Sequence, residues 1–335
     1  MSEKDAFGFE IDFLPVQKMG KSGDAICMRW GYNLLDANLR RQVVMLVDAG
    51  YDETGSSVVE HVREYYKTNF VQCLVSTHPH DDHIGGVPKV VAELNIGYFA
   101  IHQPWTHIGR NVVSQNKELE GVRQLVTTAA VDSYEWFSDG GYAFELMGVR
   151  VDVLGPTRKY YDSIWSDLKW GAEGCLSSDE DTAKAVNNSG IILAFTLKEC
   201  GGKTIILTGD VGAPALTAAF SEARRRNPAL LQNVAIFQLP HHGSSQNFES
   251  SVLNLLDLSS AMVCVSAADQ DRLHPGAEVV NACISRGACV FATRGKIMRQ
   301  AFGDCPLRDG WVTAKPLSRF QHAQESEVPG QVVGK

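Results

Sequence analysis

The sequence predicts an α+β protein in which two sheets pack face to face and helices cover the outside. Two observations predict it. Apolar strand patterns recur in both halves of the 335-residue chain, and each run of strands is closed by a segment of helical spacing.

Taken in order, Phe9 to Leu14 alternates apolar and polar residues, the mark of a half-buried strand. Ala25 to Trp30 and Gln42 to Val47 are two more strands, the second continuous enough to lie centrally. Val58 to Lys67 has helical spacing, and Val71 to Ser76 is a buried strand that delivers the chain into a polar motif. In the second half, Ile191 to Leu197 and Lys203 to Thr208 form a hairpin joined through Glu199-Cys200-Gly201-Gly202. Ala213 to Arg226 is helical, and Val234 to Leu239 and Ser260 to Ser266 are strands. Glu278 to Arg286 is a helix followed by the strand Ala288 to Ala292. Residues 8–315 are expected to form one domain. Within it, 157–186 reads as an insertion, with Tyr160, Tyr161, Trp165 and Trp170 beside Asp179-Glu180-Asp181. Packing or an oligomer contact is the favoured role for it, ahead of a lid. Residues 316–335 read as a loose polar tail.

Hydrophobic residues make up 44% of the chain, ample for a large core, and the net charge of -8 gives no basic surplus of the kind that marks non-specific nucleic-acid binding. No apolar run approaches the roughly 18–20 residues of a membrane span. The start, Met1-Ser2-Glu3-Lys4-Asp5, has no secretory apolar stretch behind it, so the expected location is cytoplasmic. The eight cysteines are scattered without a CxxC pair and several sit in apolar runs, as buried reduced thiols do.

The sharpest signal is Thr77-His78-Pro79-His80-Asp81-Asp82-His83-Ile84-Gly85-Gly86. Three histidines and a carboxylate within six residues, straight after a buried strand, are metal-ligand chemistry. On an extended loop His78 and His80 can point to one metal, while Asp82 and His83, at the turn into the next helix, reach a second. Gly85-Gly86 lets the backbone pass close beneath. A metal pair needs a shared anionic ligand, and Asp210, ending the strand Ile205-Ile206-Leu207-Thr208-Gly209, is the candidate. The third piece is Gln238-Leu239-Pro240-His241-His242-Gly243-Ser244-Ser245, again a strand running into histidines. His242 is the preferred ligand, and His241 the one that faces substrate.

These motifs resemble the metallo-β-lactamase superfamily, whose HxHxDH signature is met by His78, His80, Asp82 and His83. The order HxHxDH, Gly-Asp, His-His-Gly-Ser is most similar to the C-terminal domain of ComEC-type competence proteins and its free-standing relatives. Further matches are Asp12-Phe13-Leu14-Pro15-Val16 with Ser22-Gly23-Asp24-Ala25, Val47-Asp48-Ala49-Gly50, Asn187-Asn188-Ser189 and His274-Pro275. The resemblance implies an αββα sandwich of two mixed sheets with two divalent metals at one edge, zinc first and manganese second. It carries over neither membrane segments nor DNA uptake. No histidine lies between residues 110 and 185, where many members carry a further ligand, so Asn188, His274 or water is expected to complete the first site.

The expected chemistry is hydrolysis by a metal-bridging hydroxide. Asp82 or Asp210 would orient it and take its proton, and His241 or His274 would assist the departing oxygen. Asp48 and Asp24 are expected behind a ligand histidine, orienting it. A phosphodiester is the favoured substrate, which makes nucleic acid or a nucleotide the expected partner, with Lys18, Lys21, Arg294 and Lys296 able to meet phosphates. The alternatives are an acyl or lactone hydrolase, a metal-binding interaction module with little turnover, and an iron-based redox role.

Overall fold

The computed structural model describes residues 5–106, 117–127, 132–167, 180–246 and 248–320. The first sheet contains β1 (Phe7–Phe13), β2 (Ile26–Tyr32), β3 (Arg41–Val47), β4 (Phe70–Ser76), β5 (Asn95–Ile101), β6 (Ser133–Tyr134) and β14 (Met298–Gly303), in the order β14-β1-β2-β3-β4-β5-β6. The second contains β7 (Ala143–Leu146), β8 (Val149–Gly155), β9 (Ile192–Leu197), β10 (Lys203–Leu207), β11 (Val234–Gln238), β12 (Met262–Val265) and β13 (Cys289–Ala292), in the order β13-β12-β11-β10-β9-β8-β7.

Both sheets follow one rule. Strands from β14 to β3, and from β7 to β10, pair antiparallel; beyond β3 and beyond β10 every pairing is parallel. Loops that leave the carboxyl ends of the parallel strands therefore collect along one rim, where open α/β sheets place their ligands.

Three apolar cores explain the layers. Phe9, Ile11, Trp30 and Met45 from the first sheet meet Val151, Phe195, Ile205 and Ile236 from the second in a core between the sheets. Leu46, Val58, Val62 and Val90 belong to a core on the first sheet's outer side, where the helices Thr54–His61 and Val87–Glu93 pack. Leu216, Phe220, Phe237 and Val280 belong to another under the helices Ala213–Arg226 and Ala277–Ile284. Each fully buried side chain of this size contributes roughly 1.5–3 kcal/mol. The two mixed sheets with helices outside are the expected αββα sandwich.

Several elements differ from expectation for physical reasons. β1 is buried on both faces, because Glu10 and Asp12 are covered by Arg29, Arg299, Arg308, His61 and Tyr66. The helix expected over Val58 to Lys67 starts at Thr54 and ends in a π-helical turn, Val62–Tyr66, stopped by left-handed Lys67 (φ 55°). In the region read as an insertion, the helix Arg158–Asp167 sends Tyr161 and Trp165 into the first sheet's outer core. Trp170 and Asp179 lie outside the described residues. Of the tail, Leu317 and Phe320 dock: Leu317 N donates to Val290 O (2.7 Å), and Phe320 pairs through its backbone with the Asn281 side chain. Residues 321–335 lie outside the described part. No described helix is long and apolar enough to cross a membrane.

Candidate metal centre

The rim is assembled from loops that hydrogen-bond one another through their backbones. Asp24 N donates to Asp82 O (3.0 Å), Gly50 N to Asp24 O (2.8 Å), Ala49 N to His83 O (2.8 Å) and Gly86 N to Gly50 O (2.9 Å). Glycine at 86 is required by this closeness, since an added Cβ would collide with the Ala49 carbonyl. On the second sheet's side, the Gln238 side chain accepts from Thr208 N (2.9 Å) and Gly209 N (3.2 Å), which fixes the turn into Asp210. His241 N donates to Gly209 O (3.1 Å), tying the two loops together.

Three site residues occupy left-handed backbone that a non-glycine residue rarely adopts: Asp48 (φ 59°), His241 (φ 49°) and His242 (φ 55°). Such strain persists only where the surroundings fix it, and it concentrates at functional sites.

His78 Nε2 and His80 Nδ1 converge to 3.1 Å, with Asp210 Oδ2 4.0 Å from His78 Nε2. On the other side of Asp210, its Oδ1 lies 3.3 Å from His83 Nε2, and its Oδ2 lies 3.7 Å from His242 Nε2 and 3.7 Å from His241 Nε2. Asp82 Oδ2 stands 3.4 Å from His242 Nε2 and 3.7 Å from His83 Nε2. The carboxylate of Asp210 thus lies between two histidine groups. Burial opposes charge here, yet Asp210, Asp48 and Asp82 hold the His83 imidazole well above its ordinary pKa, and Asp210 and Asp82 likewise raise His242 to about 9. Burial works against Asp210 ionising, but His242, His83 and His241 hold it well below the usual carboxylate range.

His83 is oriented by Asp48. Asp48 Oδ2 lies 2.8 Å from His83 Nδ1, and the same carboxylate accepts from Thr77 N (2.7 Å) and Thr77 Oγ1 (2.7 Å). With Nδ1 so engaged, Nε2 is left facing Asp210 and has no hydrogen-bond partner. Asp24, expected behind a histidine, stands differently. Its nearest approach to His83 Nδ1 is 3.9 Å, and neither of its oxygens makes a hydrogen bond. Ligand atoms of Asp24, His83, Asp210 and His242 all lie within 4.8 Å of one another, a buried donor set of the kind that holds a metal.

His274 sits at the edge, its ring about 6 Å from those of His241 and His242 (6.0 and 6.1 Å). Its Nδ1 meets Asp271 Oδ2 at 3.0 Å, and Asp271 also accepts from Ser22 Oγ (2.6 Å). Sequence reading passed over Asp271, although an acid three residues before a histidine was the available signal. It passed over Gln238 and Thr77 as well, whose roles depend on partners elsewhere in the chain. The Asn188 Oδ1 accepts from Gly212 N (2.9 Å) and holds the loop after Asp210. Of the cations expected to meet phosphate, Lys18 is engaged by Asp52 (3.0 Å) and Glu53 (3.4 Å).

Residues 40–165 match the family model described as the metallo-beta-lactamase superfamily. No curated protein matches the sequence. Among solved structures, unliganded yeast PDE1 is similar at 12% identity and a TM-score of 0.48, over 86% of this chain and 98% of that one. A putative metallo-beta-lactamase from Thermotoga maritima is similar at 13% identity and a TM-score of 0.34, over 66% of this chain and 86% of that one. A metallo-beta-lactamase from Pontibacter korlensis is similar at 13% identity and a TM-score of 0.33, over 69% and 86%. Residues 40–165 thus match the metallo-beta-lactamase superfamily model, and a candidate metal-binding cluster stands among the loops at the rim.

Proposed function

We propose that this protein is a dinuclear metal-dependent hydrolase of phosphodiesters, a nuclease or nucleotide phosphodiesterase. The observation that carries the metal reading is the set of buried side-chain atoms without hydrogen-bond partners: His83 Nε2, Asp210 Oδ1, His242 Nε2 and both oxygens of Asp24. Buried polar atoms are almost always satisfied, and a buried carboxylate without a counter-charge is strongly disfavoured. A divalent cation answers both needs at once. His78 and His80 would hold one ion, Asp82, His83 and His242 a second, and Asp210 both, with Asp24 beside the second. Imidazoles suit zinc, and the carboxylates also suit manganese.

When bound, two such ions lower the pKa of a shared water and offset charge on an anionic transition state. The protein's own groups do the rest. Asp82, whose side chain is 23% exposed where Asp210 is buried, can reach a substrate-side water and take its proton. His274, held at Nδ1 by Asp271, has Nε2 left to protonate a departing oxygen. A cleft of about 250 Å³ opens beside the loop after Asp210, lined by Lys184, Asn187, Gly212, Gln246 and Phe248 among others. The Phe248 ring, the amides and Lys184, beside one acid, Glu249, suit a nucleotide, whose base stacks and whose phosphate accepts hydrogen bonds, and this supports the phosphodiester reading.

The test is turnover of bis-p-nitrophenyl phosphate and of linear single- and double-stranded DNA with zinc or manganese, beside an Asp82→Ala, His83→Ala variant and a panel of lactones and thioesters. Phosphodiester cleavage that tracks metal content and disappears in the variant is expected. Two bound metals with cleavage of acyl substrates alone would replace the phosphodiester reading by acyl hydrolysis. A folded protein that takes up no metal would end the reading altogether.

A further inference from the structure

The pair His78 and His80 converges on a point with too few donors. Four-coordinate ions of this class bind nitrogen and oxygen at roughly 2.0–2.2 Å, so ligand atoms that share one ion sit about 3–3.5 Å apart. The 3.1 Å between His78 Nε2 and His80 Nδ1 meets that spacing, and Asp210 Oδ2 at 4.0 Å supplies a third donor within easy adjustment. A further protein donor is wanted.

The helix Glu180–Asn188 is followed by a short exit into the strand Ile192–Leu197. Its exit is stitched to the histidine loop: Ile191 N donates to Thr77 O (3.0 Å), the carbonyl just before His78, and Gly190 N donates to Asn187 O (3.0 Å). The two asparagines at the helix end are used differently. Asn188 Oδ1 is taken by Gly212 N at 2.9 Å. Asn187 is 4% exposed and its Oδ1 is buried with no hydrogen-bond partner. A buried amide oxygen left unpaired costs about 1–3 kcal/mol, and amide carbonyls are accepted ligands of hard divalent cations.

We infer that the Asn187 side-chain oxygen is a protein ligand of the ion held by His78 and His80. The inference rests on the dinuclear reading above. It makes this site the more oxygen-rich of what an all-histidine set would be, and an oxygen donor in place of a third imidazole tilts the site from zinc toward manganese.

The experiment counts metals and does not depend on turnover. Full-length wild type, Asn187→Ala, Asn187→His and Asn188→Ala are loaded with an equimolar zinc and manganese mixture, dialysed, and analysed by elemental mass spectrometry and titration calorimetry. Wild type and Asn188→Ala are expected to keep two ions. Asn187→Ala should keep one, with the other weakened about tenfold or more, and the retained ion reports that the variant is folded. Asn187→His should keep two and carry a higher zinc share. Two ions with unchanged affinities in Asn187→Ala would overturn the inference and leave the dinuclear reading standing, whereas a wild type without metal would overturn both.

Discussion

Glu10 and Asp12 on the outer face of the first sheet are as deeply buried as Asp24 and Asp210 at the rim, and the surroundings treat the two pairs in opposite ways. Glu10 is met by Arg29 (2.5 Å) and Arg299 (2.6 Å). Asp12 takes a bidentate pair from Arg308 (2.8 and 2.7 Å), a hydroxyl from Tyr66 (2.7 Å) and the His61 ring (3.1 Å). Every acidic oxygen there has a partner, and the cations are part of the chain. At the rim, no described lysine or arginine pairs with Asp24, Asp48, Asp82 or Asp210. Only Asp48 is fully hydrogen-bonded. The first cluster is complete as folded and serves stability; the second is short of positive charge, which is what a metal centre looks like before loading.

That contrast can be broken most sharply from the complete side. Asp12→Ala takes the bidentate partner from Arg308, leaving it only Glu10 at 3.1 Å, and should cost about 3–5 kcal/mol in denaturant unfolding while leaving metal stoichiometry at the wild-type value. A loss of metal with unchanged stability would reverse the assignment of the two clusters.

A third buried group escapes the problem by staying neutral. Burial pushes the His102 pKa down to about 4, against the pull of the Trp136 carbonyl at 2.6 Å, and Phe137 stacks on its ring. The unfolded chain takes up a proton near 6.5 that the folded chain refuses. Stability contributed by His102 is therefore present above pH 6.5 and lost as pH falls toward 4, by about 3 kcal/mol in all. His102→Phe should flatten that acid limb in unfolding curves measured from pH 7 to 4, at a cost of about 1 kcal/mol at neutral pH for the missing hydrogen bond. An unchanged limb would mean that His102 is protonated in the fold.

On the incomplete side, removing charge should help. Asp24→Asn in chelator-treated protein is expected to be neutral or stabilising by about 1 kcal/mol, because it relieves a buried carboxylate without a partner. The same variant should bind metal more weakly. Destabilisation of the metal-free protein by this change would show that Asp24 has a partner within the fold. The smallest effect belongs to Thr77→Val, which takes one of the hydrogen bonds from Asp48. About 1 kcal/mol of stability and about a tenfold loss of metal affinity are expected by unfolding and calorimetry.

Much of the architecture was legible because the signals are local. β3 and β4 read as apolar runs, and each delivers a polar motif at its end, since a buried strand must surface where its carboxyl end meets the rim. The hairpin of β9 and β10 read equally well from its Glu199-Cys200-Gly201-Gly202 connection. β5, β6, β7, β8 and β14 went unread. β14 in particular, Met298-Arg-Gln-Ala-Phe-Gly303, has weak strand character by itself and exists because β1 offers it an edge.

The sequence by itself determined which residue types gather at the rim: His78, His80, Asp82, His83, Asp210, His241 and His242 each stand next to a strand that their own neighbours specify. Only the tertiary structure decided how each lone pair is used. Asp48 rather than Asp24 is the hydrogen-bond partner of His83 Nδ1, Asn188 rather than Asn187 caps the loop after Asp210, and Asp271 steadies His274 while reaching back to Ser22. The reason is one of range. Strand periodicity is written over five to seven adjacent residues, whereas hydrogen-bond partners 249 positions apart, as Ser22 and Asp271 are, meet only once both sheets have packed.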